Sequence, residues 1–133
     1  MAVKFWLWKI VRRRKKRRVV KRTGRRDYLK HREEARALAM ERLEHFNKFY
    51  QFKIGRISIR NQKTRWGSCS KRGNLNFNYR IALLSKEAAD YIIVHELCHL
   101  GEFNHSAKFW RLVACAVPDY LEIRKSLRRR TLL

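Results

Sequence analysis

The sequence predicts a small α+β domain: a long N-terminal helix, a small β-sheet or hairpin, a helix carrying a His-Glu-x-x-His motif, and two C-terminal helices. Three observations predict it. An apolar stripe of helical period runs from Ala35 to Tyr50, and apolar residues alternate between residues 52 and 80. The segment 86–101 is apolar on almost every side yet sets His95, Glu96 and His99 among those apolar residues. The 133 residues suffice for one domain with a modest core, and 45% hydrophobic content excludes a disordered chain.

The first helix is expected from an N-cap at Asp27 to about Asn47. Ala35, Ala39, Leu43, Phe46 and Tyr50 form its apolar stripe, and Arg32, Glu33, Glu34, Arg36, Glu41, Arg42 and Glu44 its wet side. His31 and His45 lie on the polar side and read as solvated histidines. Phe52 and Ile54 alternate, Gly55 interrupts, and Ile57 and Ile59 resume in opposite phase, which predicts a bulge or a strand start at the glycine. Arg65–Ser70 and Asn74–Arg80 flank Lys71-Arg72-Gly73 and predict a hairpin. Leu75, Phe77 and Tyr79 share one strand face, and with Trp66 they read as core; Asn74, Asn76 and Asn78 share the other. A solvated face more often uses Lys, Thr or Glu, so these asparagines invite a functional reading.

Residues 86–101 predict a second helix, sandwiched in the core, with Gly101 as its C-cap. Ser106 caps a third helix bearing Phe109, Trp110, Val113 and Val117, which Pro118 ends. Asp119 and Glu122 form a capping box for the last helix, which runs into Arg128, Arg129 and Arg130.

The chemistry lies in His95-Glu96-Leu97-Cys98-His99. On a helix His99 lies about 40° round from His95 and one turn along, so both imidazoles leave one face and can meet one ion. Glu96 projects about 60° from His99, beside the pair. That offset suits a carboxylate that takes a proton from a metal-bound water without ligating the metal. Burying three ionisable groups on an apolar helix is costly, and a metal would offset the cost. A third ligand is needed. His105 would arrive from a separate segment after Gly101, and Glu102, near the helix end, is the rival. Cys98 points away and reads as packing. Arg65 and Tyr91 are candidates to steady charge developing on a carbonyl oxygen, and Asn78 is placed near the site.

Lys and Arg number 34 against 11 acids, a formal net charge of +23 that attracts polyanions. Composition changes near Asp27, dividing the chain into a basic aromatic arm, 1–26, and a domain, 27–133. The arm joins Phe5-Trp6-Leu7-Trp8 to seven consecutive bases, Arg12 to Arg18. It reads as a solvated tail, as a nucleic-acid contact or as an anionic-membrane contact. The apolar stretch Val3–Val11 is too short to span a bilayer. An odd set of three cysteines without a CxxC pair points to a reducing compartment, and the expected location is the cytoplasm.

Arg65-Trp66-Gly67-Ser68-Cys69-Ser70, Leu75-Asn76-Phe77-Asn78-Tyr79-Arg80, Asp90 to Leu100, Asn104-His105-Ser106, Phe109-Trp110 and Pro118-Asp119-Tyr120 resemble the YgjP-like metallopeptidase domain, a zincin-type family related to the WLM and SprT-like proteases. The resemblance covers about residues 27–127. It implies a zincin-like minimal α+β domain holding one zinc ion on His95, His99 and His105, with Glu96 as base and a peptide or protein as substrate. Members usually carry a longer, β-rich segment before the first helix, where this chain has the aromatic stub and the basic run. Two functional readings follow: a zinc peptidase, and a nucleic-acid-associated zinc protein with vestigial or no hydrolysis. Structural zinc sites are closed and commonly cysteine-rich, whereas three histidines leave a position open beside a glutamate.

Overall fold

The computed structural model describes residues 20–129, with side chains from Gly24 onward. The aromatic stub Phe5–Trp8, the basic run Arg12–Arg18 and Arg130 lie outside the described residues.

Helix α1 spans Val20–Tyr50. It therefore begins before Asp27, which sits inside the helix rather than capping it. Lys and Arg are good helix formers, and a single Gly24 costs only about 1 kcal/mol, too little to stop propagation. At the other end the helix passes Asn47 and stops where Gln51 takes a left-handed φ of 57°. Asn47 holds that exit: its Oδ1 accepts from the Phe52 amide and its Nδ2 donates to the Phe52 carbonyl. Ala35, Ala39 and Leu43 are buried. Arg42, read from sequence as wet, instead pairs with Asp90 through Nε–Oδ1 at 2.7 Å and Nη2–Oδ2 at 3.1 Å. This fork clamps α1 to the helix that bears the histidines.

Three strands follow: β1, Ile57–Arg60; β2, Gly67–Cys69; and β3, Leu75–Asn78. Their order is β1-β3-β2. The expected hairpin is present, with Gly67 opposite Phe77, Ser68 opposite Asn76 and Cys69 opposite Leu75. Gly73 supplies the turn's left-handed φ of 86°. The parallel pairing of β1 with β3, Ile57 opposite Leu75, is an addition that alternation alone does not reveal. Phe52 and Ile54 precede the strand, which starts just after Gly55, whose amide donates to the Gly73 carbonyl at 2.8 Å. At the end of β3, Asn78 Oδ1 accepts from the Arg80 amide and opens a 3-10 helix, Tyr79–Leu83, so Tyr79 and Arg80 leave the strand. Tyr79 stays buried, as do Leu75, Phe77 and Trp66.

Helix α2, Lys86–Cys98, starts at Ser85, whose Oγ accepts from the Ala88 amide. Ten of its residues are buried, as expected for a helix covered by α1, the sheet and α3. Its C-cap is His99 in a right-handed conformation, not Gly101. The glycine is needed for a different reason: a Cβ there would lie 2.6 Å from Cζ of Phe52, so the ring closes directly on the backbone. Helix α3, Ala107–Ala116, begins at Ser106, whose Oγ accepts from the Phe109 amide, and α4, Tyr120–Arg129, follows Pro118.

Candidate metal centre

The last turn of α2 carries His95 and His99 on one face. After it the chain stays tightly wound, with the Gly101 and Glu102 amides donating to the Cys98 carbonyl. This short exit returns His105 to the helix end. The three Nε2 atoms converge, at 3.2 Å for His95 and His99, 3.4 Å for His95 and His105, and 3.0 Å for His99 and His105. Among the described residues these three histidines form the group whose ligand atoms could share one ion. Two nitrogens held tetrahedrally at ~2.0–2.1 Å lie about 3.3–3.4 Å apart, so the set fits a metal with little adjustment. Glu102 takes part through its main chain: its carbonyl lies 3.2 Å from His99 Nδ1. That contact places the proton on Nδ1 and leaves Nε2 with its lone pair.

Phe109 is the floor of the site. Its ring stacks on His99 at 4.4 Å and meets His95 and His105 edge-on at 4.8 and 4.9 Å. Burial against it lowers the imidazole pKa values, that of His95 far below its ordinary range and those of His99 and His105 to about 4. At neutral pH all three are uncharged, the state a metal requires.

Glu96 is 3% exposed and turns toward β2. A Cβ on Gly67 would lie 2.9 Å from its Cγ and 3.2 Å from its Oε1, so the strand lies hard against this side chain. Burial raises the Glu96 carboxyl to about 8, against a smaller opposing effect from the Arg65 charge.

Arg65 thus reaches the site through its field on Glu96. Tyr91 is buried one turn before His95, its hydroxyl 3.5 Å from His95 Nδ1, on the ring edge away from the converging Nε2 atoms. Asn78 is committed to the backbone, with Nδ2 donating to the carbonyls of Gln62 and Arg65 and Oδ1 accepting from Arg80. It clasps the loop that carries Arg65. Cys98 is fully buried, and burial pushes its thiol up to about 12.

Three contributors escaped the sequence reading. Phe109 looked like any core residue one turn into α3. Gly67 carried a usable signal, since glycine inside a strand marks close approach of another group. Arg124 of α4 lies with its guanidinium 4.8 Å over Trp110, its buried Nε has no hydrogen-bond partner among the described residues, and its charge adds to the lowering at His95 and His105. Nothing near it in sequence announces that placement.

A family model described as YgjP-like, metallopeptidase domain, matches residues 7–130. Among solved structures, the metallopeptidase zymogen of Pyrococcus abyssi abylysin is similar, with a TM-score of 0.58 and 29% identity, covering 67% of this chain and 87% of that one. Comparison with curated protein sequences returns no match.

Proposed function

The chain belongs to the YgjP-like metallopeptidase family, and on that premise we propose that it is a zinc-dependent peptidase in which His95, His99 and His105 hold the ion and Glu96 is the general base. Metal-dependent peptide hydrolysis is the family's activity; the ion's identity, the residue roles and the mechanism are our reading. The observation that carries it is the convergence of three neutral imidazole nitrogens within 3.0–3.4 Å of one another, with the carboxyl of Glu96, the residue after His95, buried. A set of three imidazoles, which leaves one position of a tetrahedral ion to water or substrate, suits zinc among the common divalent ions.

When bound, the ion would polarise the scissile carbonyl and acidify water at the open position. The rest falls to the protein. The Glu102 carbonyl holds the His99 tautomer, and Phe109 and burial keep the rings neutral and aimed. Glu96, as carboxylate, takes the proton of the attacking water and returns it to the leaving amine. Arg65, held through its carbonyl by Asn78, favours the ionised form of Glu96 and can meet charge developing on the substrate oxygen. Tyr91 orients His95. The extended substrate lies along the β2 side of the site. There the alternation of the ladder leaves Gly67 and Cys69 with their main-chain groups turned away from β3.

No helix of the described residues is long and apolar enough to cross a membrane. The division at residue 26, the polyanion or membrane contact through residues 1–26 and a cytoplasmic location remain part of this proposal. The second reading, a zinc protein without hydrolysis, gives Glu96 no task. The deciding experiment measures zinc content and cleavage of an unstructured protein by the wild type and by Glu96→Gln. The proposal expects the variant to keep zinc and lose at least a hundredfold in rate. Equal rates would remove Glu96 as base, and absence of bound zinc in the wild type would remove the metal reading.

A further inference from the structure

The sheet has a second face that the metal centre does not use. Ile59, Cys69, Leu75 and Phe77 turn toward the helices and are buried, so the alternation of the strands puts Ser58, Arg60, Ser68 and Asn76 on the opposite side. Ser58, Asn76 and Ser68 stand in one rank across the three strands. Asn76 Nδ2 donates to Ser68 Oγ at 3.1 Å, and Arg60 Nε donates to Asn76 Oδ1 at 3.4 Å, so a row of polar groups runs from one edge of the sheet to the other. This rank accounts for one of the asparagines that a merely solvated face leaves unexplained.

The charge around this face has one sign. Residues 51–84 hold eight bases and no acid. Lys53, Arg56, Arg60, Lys71 and Arg72 are exposed. Arg56 and Arg60 flank β1, roughly 13 Å apart along an extended strand, and neither forms an ion pair among the described residues. The α1 backbone at Gly24 reaches the same end of the sheet through Asn61, and Arg25 and Arg26 follow it. None of the large exposed apolar side chains (Leu29, Met40, Phe49, Leu83 and Leu121) lies on the strands.

We propose that this outer sheet face, Arg56, Ser58, Arg60 and Asn76 with the Lys71–Arg72 turn, is a docking surface for the phosphate backbone of a nucleic acid. Arginine forks match phosphate oxygens, and serine and asparagine side chains give hydrogen bonds to phosphate and sugar. A lipid surface carries similar charge, but binding to it draws on apolar side chains seated at the interface, which this face lacks. The surface lies on the far side of the sheet from α2, so occupancy leaves the metal centre open. The inference stands whether or not the centre is catalytic.

The test is binding of a fluorescently labelled 20-nucleotide single-stranded RNA, followed by anisotropy at 50–200 mM salt, using the full chain. Each lost phosphate contact reduces the slope of log K against log salt by about 0.7 for a single strand. Arg56→Gln with Arg60→Gln is expected to reduce that slope by about 1.4 and to weaken binding at least tenfold at 100 mM salt, with peptide cleavage unchanged. Lys125→Gln with Arg129→Gln on α4 removes the same charge elsewhere and should change the slope by less than half as much. Asn76→Asp, nearly isosteric, should weaken binding by placing an anion in the rank. Equal effects of the two double variants would overturn the proposal. So would capture by vesicles containing 30% phosphatidylserine in preference to RNA.

Discussion

Gly67→Ala tests how closely the base is held. A Cβ at this position would stand 2.9 Å from Glu96 Cγ and 3.0 Å from the Asn76 carbonyl oxygen, where ordinary contact begins at 3.4 Å. The carbonyl belongs to the β2–β3 ladder and gives only a few tenths of an ångström, whereas the closer contact is relieved by Glu96, which has to move by about 0.5 Å or more. A displacement of that order at a reacting group costs roughly tenfold to a hundredfold in rate, since about 1 Å costs ~10²-fold. The stability cost should be small, about 1–2 kcal/mol of overpacking partly offset by the lower chain entropy of alanine in a strand. His95 and His99 leave α2 and its cap on a neighbouring face and His105 comes from the segment before α3, so zinc content should hold. The assay is the initial rate of cleavage of an unstructured protein at saturating substrate, alongside zinc per chain and the melting temperature. Gly55→Ala is the control, because its Cβ would strike Asn74 Oδ1 at 2.6 Å and leave Glu96 untouched. It should lose stability and keep its rate. A zinc-loaded Gly67→Ala protein within twofold of wild-type rate would refute the reasoning.

Without metal, stability should peak near pH 6.5. His99 and His105 have folded pKa values of about 4 against an ordinary 6.5, so the unfolded chain binds more protons between those values and stability rises with pH there; His95 acts in the same direction. Glu96, at about 8 against 4.5, works oppositely and is alone between 6.5 and 8, where stability should fall; melting curves of chelator-treated protein at half-unit pH steps check both limbs. Zinc binding at pH 7 should release most of one proton, because Glu96 is mostly protonated without the ion and the histidines are already neutral. Calorimetric titrations in two buffers of different ionisation enthalpy measure it, and release near zero at pH 7 would contradict the raised carboxyl. Asp90→Ala should cost about 2 kcal/mol and lower the melting temperature by about 7 °C, since it strands Arg42, whose side chain is 15% exposed.

The helices and the hairpin were legible because each is written locally. Ser85 and Ser106 cap, Gly73 turns, and the stripe from Ala35 to Leu43 repeats at helical spacing. The convergence of the three histidines was legible for a related reason: His95 and His99 are set by the pitch of one helix, and His105 is only six residues further on. What escaped depends on contacts between distant segments. β1 joins β3 in parallel across eighteen residues, and nothing in Ile57-Ser58-Ile59-Arg60 names Leu75 as the partner of Ile57. Arg42 looks solvated until Asp90 is seen opposite it. Gly101 resembled a helix cap because glycine serves both for positive φ and for close approach, and only the position of Phe52 separates the two. Asp27 resembled a cap because its side chain suits one, although the basic residues before it propagate a helix equally well.

Burial is the common cause of the site's properties. It drives three imidazoles to the neutral form and one carboxyl to the protonated form, so the metal-free pocket favours no net charge. A divalent ion held by the three histidines would change that balance for Glu96 without changing it for the imidazoles, which are already neutral. Such a dication would favour the carboxylate in a place where desolvation opposes it and the Arg65 charge alone does not suffice. Loading the metal and arming the base are therefore one event under the proposed mechanism. The two can be separated by substitution: Arg65→Gln should leave the three ligands intact and push the Glu96 pKa up, so the acid limb of the kcat profile would move to higher pH while zinc content stayed constant. An acid limb that did not move would mean the ion, rather than the arginine, sets the carboxylate's charge.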